Sequence, residues 1–304
     1  MIDSARAEIA VLIGLVSTED GDRVLQTLEA LSARQGDVCC EVILADRRQD
    51  HISQEIMRSY PQVRIIPCPR DYTLPAMRTL AYDHSRAALI AVTEDHCVPS
   101  DNWLGAIVSA FQDPELTAVG GSVENGVSDT PFDWATFLCE YSYFSPPVTE
   151  GETDILPGMN VAYRRSALDQ IPRERLVAGF WETTVHPLML QAGAQFRSRN
   201  DMKMFHCKKF SKALFGRQRY VYSRYYAGIR FPKHAILQRV VATAGSLLLP
   251  PLLLWRMRKA ALEKQLGKPF REAIPSLAWL VVVWSLGEMV GYLLGPGQAL
   301  AEIE

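Results

Sequence analysis

Two acids and a histidine close an apolar run in Ile90–His96, IAVTEDH. A buried strand that ends in Glu94, Asp95 and His96 sets carboxylate oxygens beside an imidazole nitrogen. That donor set suits a divalent cation such as manganese or magnesium, with water and phosphate filling the rest of the shell. A cation held there and bridging two phosphates would neutralise a departing diphosphate. The plainer reading is a solvated turn in which Asp95 caps the next helix. Two further acids stand where chemistry can be done. Asp46 closes CEVILAD, and Glu182 opens the helical stretch ETTVHPLMLQAG. A carboxylate placed like Glu182 is either a general base for a hydroxyl or a first-turn acid favoured by the helix dipole.

The elements around these residues alternate. IAVLIGLV (Ile9–Val16), CEVILAD (Cys40–Asp46), VRIIPC (Val63–Cys68) and ALIAVTED are short apolar runs of strand type. Between them DRVLQTLEALSARQG and MRTLAYDHSRA have helical spacing. Strands alternating with helices predict an α/β domain on a mostly parallel sheet covered on both faces. Ligands bind such sheets at the carboxyl ends of the strands, where Asp46 and the Glu94–His96 cluster both fall. From about Glu124 to Phe210 the pattern is mixed, with a helix from Glu182 closed by Gly193.

The last third differs. Lys203 to Arg239 holds ten Lys/Arg and no Asp/Glu, with tyrosines interleaved in RQRYVYSRYYAGIRF. Two apolar segments follow, at 235–255 and 273–295, each close to the ~20 residues that cross a bilayer. A basic aromatic stretch beside apolar segments is what a chain presents to anionic headgroups. Two buried helices and a solvated basic face are the alternative. Pro250-Pro251 interrupts the first segment, and the loop after it is basic. These features point to a re-entrant hairpin, with a plain two-span hairpin as the other arrangement. In the re-entrant case the second segment crosses once and leaves the acidic tail AEIE outside. Glu288 lies inside that segment and needs a partner there.

The bulk properties bound the partners. A formal charge of −2 over 304 residues argues against a nucleic-acid binder. Six cysteines without a CxxC spacing read as thiols of a reducing compartment. The first residues, MIDSARAEIAVLIG, do not have the pattern of a signal peptide.

Val98-Pro99 and Trp103-Leu104 after the acidic cluster carry a resemblance to the family-two inverting glycosyltransferases of GT-A fold. Their strand ends in Asp-x-Asp; Glu94 and His96 stand where the two aspartates usually do. The resemblance implies donor binding by Asp46, Arg78, Glu94 and Asp95, and a manganese or magnesium ion held by Glu94, Asp95, His96 and His206. LPGMNVAYRRSAL is similar to the family's acceptor segment and names Gly158, Asn160, Arg164 and Arg165. Counting back from Gly193 puts Glu182 at the catalytic base, with Trp181 beside it in place of another acid.

The implied layout is a catalytic domain over 1–215, a basic interfacial segment over 216–234 and a membrane region over 235–304. The implied enzyme is membrane-associated, with its catalytic domain on the cytoplasmic face. It moves a sugar from a nucleotide-diphosphate donor to a lipid-linked or lipid-phosphate acceptor. Arg217, Arg219 and Arg224 are expected at the headgroups or the diphosphate. The rivals are a processive polysaccharide synthase and an inactive membrane scaffold. Gln218-Arg219-Tyr220 lacks the synthase's Gln-x-x-Arg-Trp spacing. The Glu-x-His departure favours the scaffold.

Overall fold

The computed structural model describes residues 7–33, 35 and 38–303. They form two compact units. One runs to Gly126 and resumes over Phe144–Lys208; the other joins Val127–Tyr143 to the chain from Lys209 onward. The first unit ends at Lys208, within the 1–215 expected for the catalytic domain, and Val127–Tyr143 groups with the C-terminal helices.

In the first unit the predicted runs become β1 (Ile9–Leu15), α1 (Arg23–Ala33), β2 (Cys40–Asp46), β3 (Arg64–Pro67), α3 (Leu74–Asp83) and β4 (Leu89–Glu94), and a helix that the sequence pattern did not announce, α2 (His51–Ser59), stands between β2 and β3. Every residue of β1 is buried, which is why its sequence reads as an unbroken apolar run. A capping box starts α2: Asp50 accepts from the Ile52 amide, and Ser53 reaches back to the Asp50 amide. Then follow β5 (Cys97–Pro99), α4 (Trp103–Ala110) and β6 (Leu116–Asn125), and, in the second unit, α5 (Pro131–Tyr141). The first unit resumes with β7 (Gly151–Glu152), β8 (Val161–Arg164), α6 (Arg165–Leu168), α7 (Arg173–Gly179), α8 (Glu182–Gln191) and β9 (Gln195–His206). Gly193, at φ +85°, closes α8 in the left-handed conformation that glycine adopts without strain.

One nine-stranded sheet runs β3-β2-β1-β4-β8-β6-β9-β5, with β7 on β9. Strands β1 to β4 are parallel, so Leu15, Asp46 and Glu94 share one edge. The sheet as a whole is mixed rather than mostly parallel, because β8 pairs antiparallel with both β4 and β6. This four-residue strand follows directly from the Gly158 loop without the crossover helix that a parallel entry requires. Its register sets Val161 against Val92 and Arg164 against Leu89.

The second unit consists of α5 with α9 (Lys212–Arg230), α10 (Ile236–Ser246), α11 (Leu249–Glu263) and α12 (Gly267–Leu294). Among the described residues α12 alone is long and apolar enough by itself to cross a membrane. Helices α10 and α11 reach that length only as a pair, bent by 62° just before Pro250-Pro251. The cations expected at headgroups have protein partners. Arg217 Nη2 lies 2.9 Å from Glu302, the Arg219 guanidinium stacks 3.9 Å over Trp284, and Arg224 donates to the Gly295 carbonyl. Glu288 accepts from Trp284 Nε1 and the Tyr292 hydroxyl, the partners its place in an apolar helix demanded.

Candidate active site and metal centre

The carboxyl edge of the parallel strands gathers the chemistry. After β4 the chain turns, and the three cluster residues take separate directions. Asp95 points back to β1. Its Oδ2 accepts the Val16 and Ser17 amides at 2.8 Å each, and its Oδ1 accepts the Ser17 hydroxyl at 2.5 Å. The same Oδ1 lies 2.9 Å from His96 Nδ1. Asp95, expected as a metal and donor ligand, here fastens the end of β4 to the end of β1 and orients a histidine. A carboxylate on Nδ1 orients the ring and turns Nε2 toward Glu94 and His206.

His96 Nε2 stands 3.3 Å from Glu94 Oε2 and 3.1 Å from His206 Nε2. Two ligands each about 2.1 Å from one ion, at a right angle or slightly wider, stand about 3 Å apart. Glu94, His96 and Cys97 keep their ligand atoms within 4.8 Å of one another, a group that can hold a metal ion. Strand pairing brings in the distant member, since β5 sets Cys97 opposite His206 on β9.

The acids of the cluster are held ionised. Burial would raise Glu94, but His96 and then Arg78 outweigh it and hold the carboxyl at about 2. Burial would likewise raise Asp95, and His96 and Lys208 bring it well below the carboxylate range. For His96, burial acts downward and the two acids overcome it, so the ring is raised. Burial and then the neighbouring His96 push His206 down to about 3, leaving its ring neutral. Burial, then Glu94, holds the Cys97 thiol protonated. Carboxylate and imidazole together suit an ion of the manganese or magnesium type.

Glu182 opens α8, and its carboxylate lies directly against Gly158, where a Cβ would stand 2.0 Å from Glu182 Oε2. Burial raises the Glu182 carboxyl, Arg78 partly offsets this, and Glu94 raises it further. Arg78 ties the pieces together. It donates to the Phe180 carbonyl at 3.1 Å, lies 3.5 Å from Glu94 and sits over the Trp181 ring at 6.0 Å. One turn along α8, His186 Nε2 stands 2.8 Å from the Tyr163 hydroxyl and pins the helix to β8. Burial keeps His186 neutral, down at about 4.

The comparisons with known proteins bear on the family and the fold. The family model of Glycosyl transferase family 2 matches residues 16–172, just over half of the chain. The chain belongs to that family. Among solved structures, it is similar to the mannosyltransferase PcManGT of Pyrobaculum calidifontis in complex with GDP-Man and Mn2+. That match has a TM-score of 0.57 at 15% identity and covers 93% of this chain and 87% of that one. It is also similar to GalNAc-T7 with UDP, GalNAc and Mn2+, with a TM-score of 0.53 at 11% identity. There the match covers 74% of this chain but only 52% of the other, about half its length. Identities this low establish the shared GT-A fold. No curated protein matches the chain.

Within the family frame several expected residues have other occupations. Asn160 is fully buried. Its Oδ1 accepts from Trp103 Nε1 at 2.8 Å, and its Nδ2 donates to the Ser122 and Met202 carbonyls. It clamps α4, β6 and β9 and has no donor hydrogen left for an acceptor. Asn160→Ala orphans these three groups and should lower stability by about 2 kcal/mol, measurable by urea denaturation.

Arg164 also leaves the acceptor set. The antiparallel register puts it beside Leu89, five residues and roughly 16 Å from Glu94 at the far edge of the sheet. There it donates to the carbonyls of Leu116, Phe111 and Asp113. Arg165 lies at the same edge, bonded to Ala87 and stacked on Tyr82. Asp46 is buried with Oδ1 taking the Arg48 and Gln49 amides, so it caps its own turn at the carboxyl edge of the sheet.

Two residues escaped the sequence reading. Ser17 follows the β1 run, and its position at a strand's carboxyl end was the available signal. Lys208 is buried and donates to the Ser17 hydroxyl at 3.1 Å, bringing a cation to the Asp95–His96 pair. No spacing pattern marks it.

Proposed function

We propose that this family-two enzyme is a membrane-associated inverting glycosyltransferase with its catalytic unit on the cytoplasmic face. It transfers a sugar from a nucleotide-diphosphate donor to a lipid-linked or lipid-phosphate acceptor. The observation that carries the proposal is the pairing of one raised carboxyl, Glu182, with a separate cluster of Glu94, His96 and His206 along the same sheet edge. Two environments that push acids apart assign two roles. Glu94, His96 and His206 would hold the divalent ion, which when bound neutralises charge on the leaving diphosphate.

The chain's own groups do the remainder. Glu182 takes the proton from the acceptor hydroxyl. The acceptor oxygen forms its bond to the anomeric carbon as the bond to the diphosphate oxygen breaks, and the configuration inverts. Arg78 faces both Glu94 and Trp181 and adds fixed positive charge between base and cluster. Lys208 and Ser17 support His96 through Asp95. The lipid acceptor and the membrane rest on the second unit, where α12, and α10 with α11 as a bent pair, are long and apolar enough to cross a bilayer. The cytoplasmic assignment rests on six free thiols.

The test is a binding panel of UDP, GDP, CMP and dTDP on the detergent-purified full chain, each with manganese, magnesium or chelator. One diphosphate is expected to bind only with metal, and His96→Ala is expected to weaken it at least tenfold. Binding that survives both chelator and His96→Ala would remove the metal centre. No binding of any nucleotide would leave the scaffold.

A further inference from the structure

Helix α10 is built inside out. Its outward stripe is apolar and solvent-facing: Leu237 is 75% exposed, Val241 63% and, just past its end, Leu248 70%. Its inward positions are polar. Arg239 donates to the Tyr292 and Leu293 carbonyls at the end of α12, and Ser285 of α12 donates to the Ser246 carbonyl. Trp255 on α11 and Val282, Leu286 and Leu293 on α12 add further exposed apolar side chains. Outward apolar side chains over polar inward contacts are the reverse of a water-facing helix bundle.

The opposite face of α12 is covered by a charged helix. A Cβ on Gly216 of α9 would meet the Trp279 ring. One on Gly287 would meet the Tyr220 carbonyl and one on Gly291 the Arg224 carbonyl. These matches climb together along both chains, so α9 and α12 run parallel in close backbone contact from about the middle of α12 to its end. This is the packing that small residues permit. Helix α9 carries Arg217, which is 63% exposed and paired with Glu302, while Gln218 donates to the Glu302 carbonyl. The acidic tail therefore folds back to the level of Trp279. Were α12 to cross, α9, its exposed ion pair and the tail would enter hydrocarbon with it, where unscreened charges are disfavoured.

We infer, resting on the membrane association proposed above, that the second unit lies in the plane of one anionic leaflet and sends no segment across. The apolar face of α10, α11 and α12 dips into the acyl boundary, and α9 stays on the aqueous side. Such a unit binds through buried apolar area together with attraction to anionic lipid. The charges match that partner. Residues 256–272, around the α11–α12 turn, hold six Lys/Arg against two Asp/Glu. Lys259 lies in the exposed stripe of α11, from where its long stem reaches a headgroup. A second copy of the chain would instead bring six more cations to the same rim.

The test uses the full chain in sealed inside-out membrane vesicles of an expression host. Gln265→Cys in the α11–α12 turn and Gln298→Cys after α12 are labelled with a membrane-impermeant maleimide and read by peptide mass spectrometry. Native Cys39, exposed on the first unit, marks the accessible side. Both positions are expected to label within about twofold of Cys39 before the vesicles are opened. Labelling of either only after permeabilisation means that a segment crosses and overturns the inference, leaving membrane association intact. A chain found in the soluble fraction, as a dimer or not, ends both. In a second arm, Leu237→Glu with Leu248→Glu should reduce sedimentation with phosphatidylglycerol vesicles at least tenfold at unchanged helix content. Unchanged sedimentation would also overturn the inference.

Discussion

Glu182→Gln is expected to lower turnover on an alcohol acceptor by roughly 10²- to 10⁴-fold, the range for loss of a positioned general base, with donor and metal affinities unchanged. The amide fills the same space against Gly158 but cannot take a proton. The pH profile adds a second readout. Burial and Glu94 hold the Glu182 carboxyl above its ordinary value of 4.5. A base works ionised, so wild-type turnover should climb as pH rises through that raised value, and the variant's residual activity should lack this limb. Stability should move the other way. A carboxyl raised on folding favours the native state below its unfolded pKa, and that contribution is lost as pH rises through the folded one. At neutral pH the ionised Glu182 therefore costs stability, and Glu182→Gln should melt at or above the wild type. That gap should close in acid, below the ordinary value of 4.5. An acceptor that is itself a phosphate arrives ionised, and on it the substitution should have far less effect. An undiminished rate on the alcohol would end the base assignment, whatever the phosphate result.

The parts of this architecture that were legible in the sequence are those in which one local signal decides. Strands β1, β2 and β4 are apolar runs buried on both faces, and α8 ends on a glycine with positive φ. Other elements were hidden by their own chemistry. In β6, Gly120-Gly121 breaks the apolar pattern at a register shift, and β8 has four residues and no periodicity to read. The capping box of α2 lies in the polar run RRQDHISQ, where only Ile52, Ser53 and Ile56 are buried. At the site, the Glu94–His96 cluster was visible because its members are adjacent. Adjacency, however, could not say that Asp95 turns to β1 while Glu94 and His96 face His206, which is 110 residues away. Arg164 was misplaced for the related reason that its edge depends on the antiparallel entry of β8. The glycosyltransferase reading survived these errors because it rested on several motifs in order, and the family match bears it out.

Gly158→Ala is the sharper test of where the base works. The backbone does not require glycine at 158, which is absent from the positive-φ positions; the close approach of Glu182 does. A methyl group there would stand 2.0 Å from Glu182 Oε2 and 2.8 Å from its Cδ. The obstructed group is the far end of a flexible side chain, so the carboxylate should yield and the backbone stay. Melting temperature and nucleotide affinity should change little. Turnover should fall on the order of 10²-fold, the cost of moving a reacting group by about 1 Å. Glu182→Asp in the same chain withdraws the carboxylate by one methylene and relieves the clash. The double variant should therefore lose less than the two single losses combined predict, as residues in direct contact do. Full additivity of the two losses, or unchanged turnover in Gly158→Ala, would mean that the base works from a position other than the one against Gly158. The Glu182 side chain would then have to swing before the acceptor binds, and its raised pKa in the resting site would describe a waiting conformation, not the reacting one.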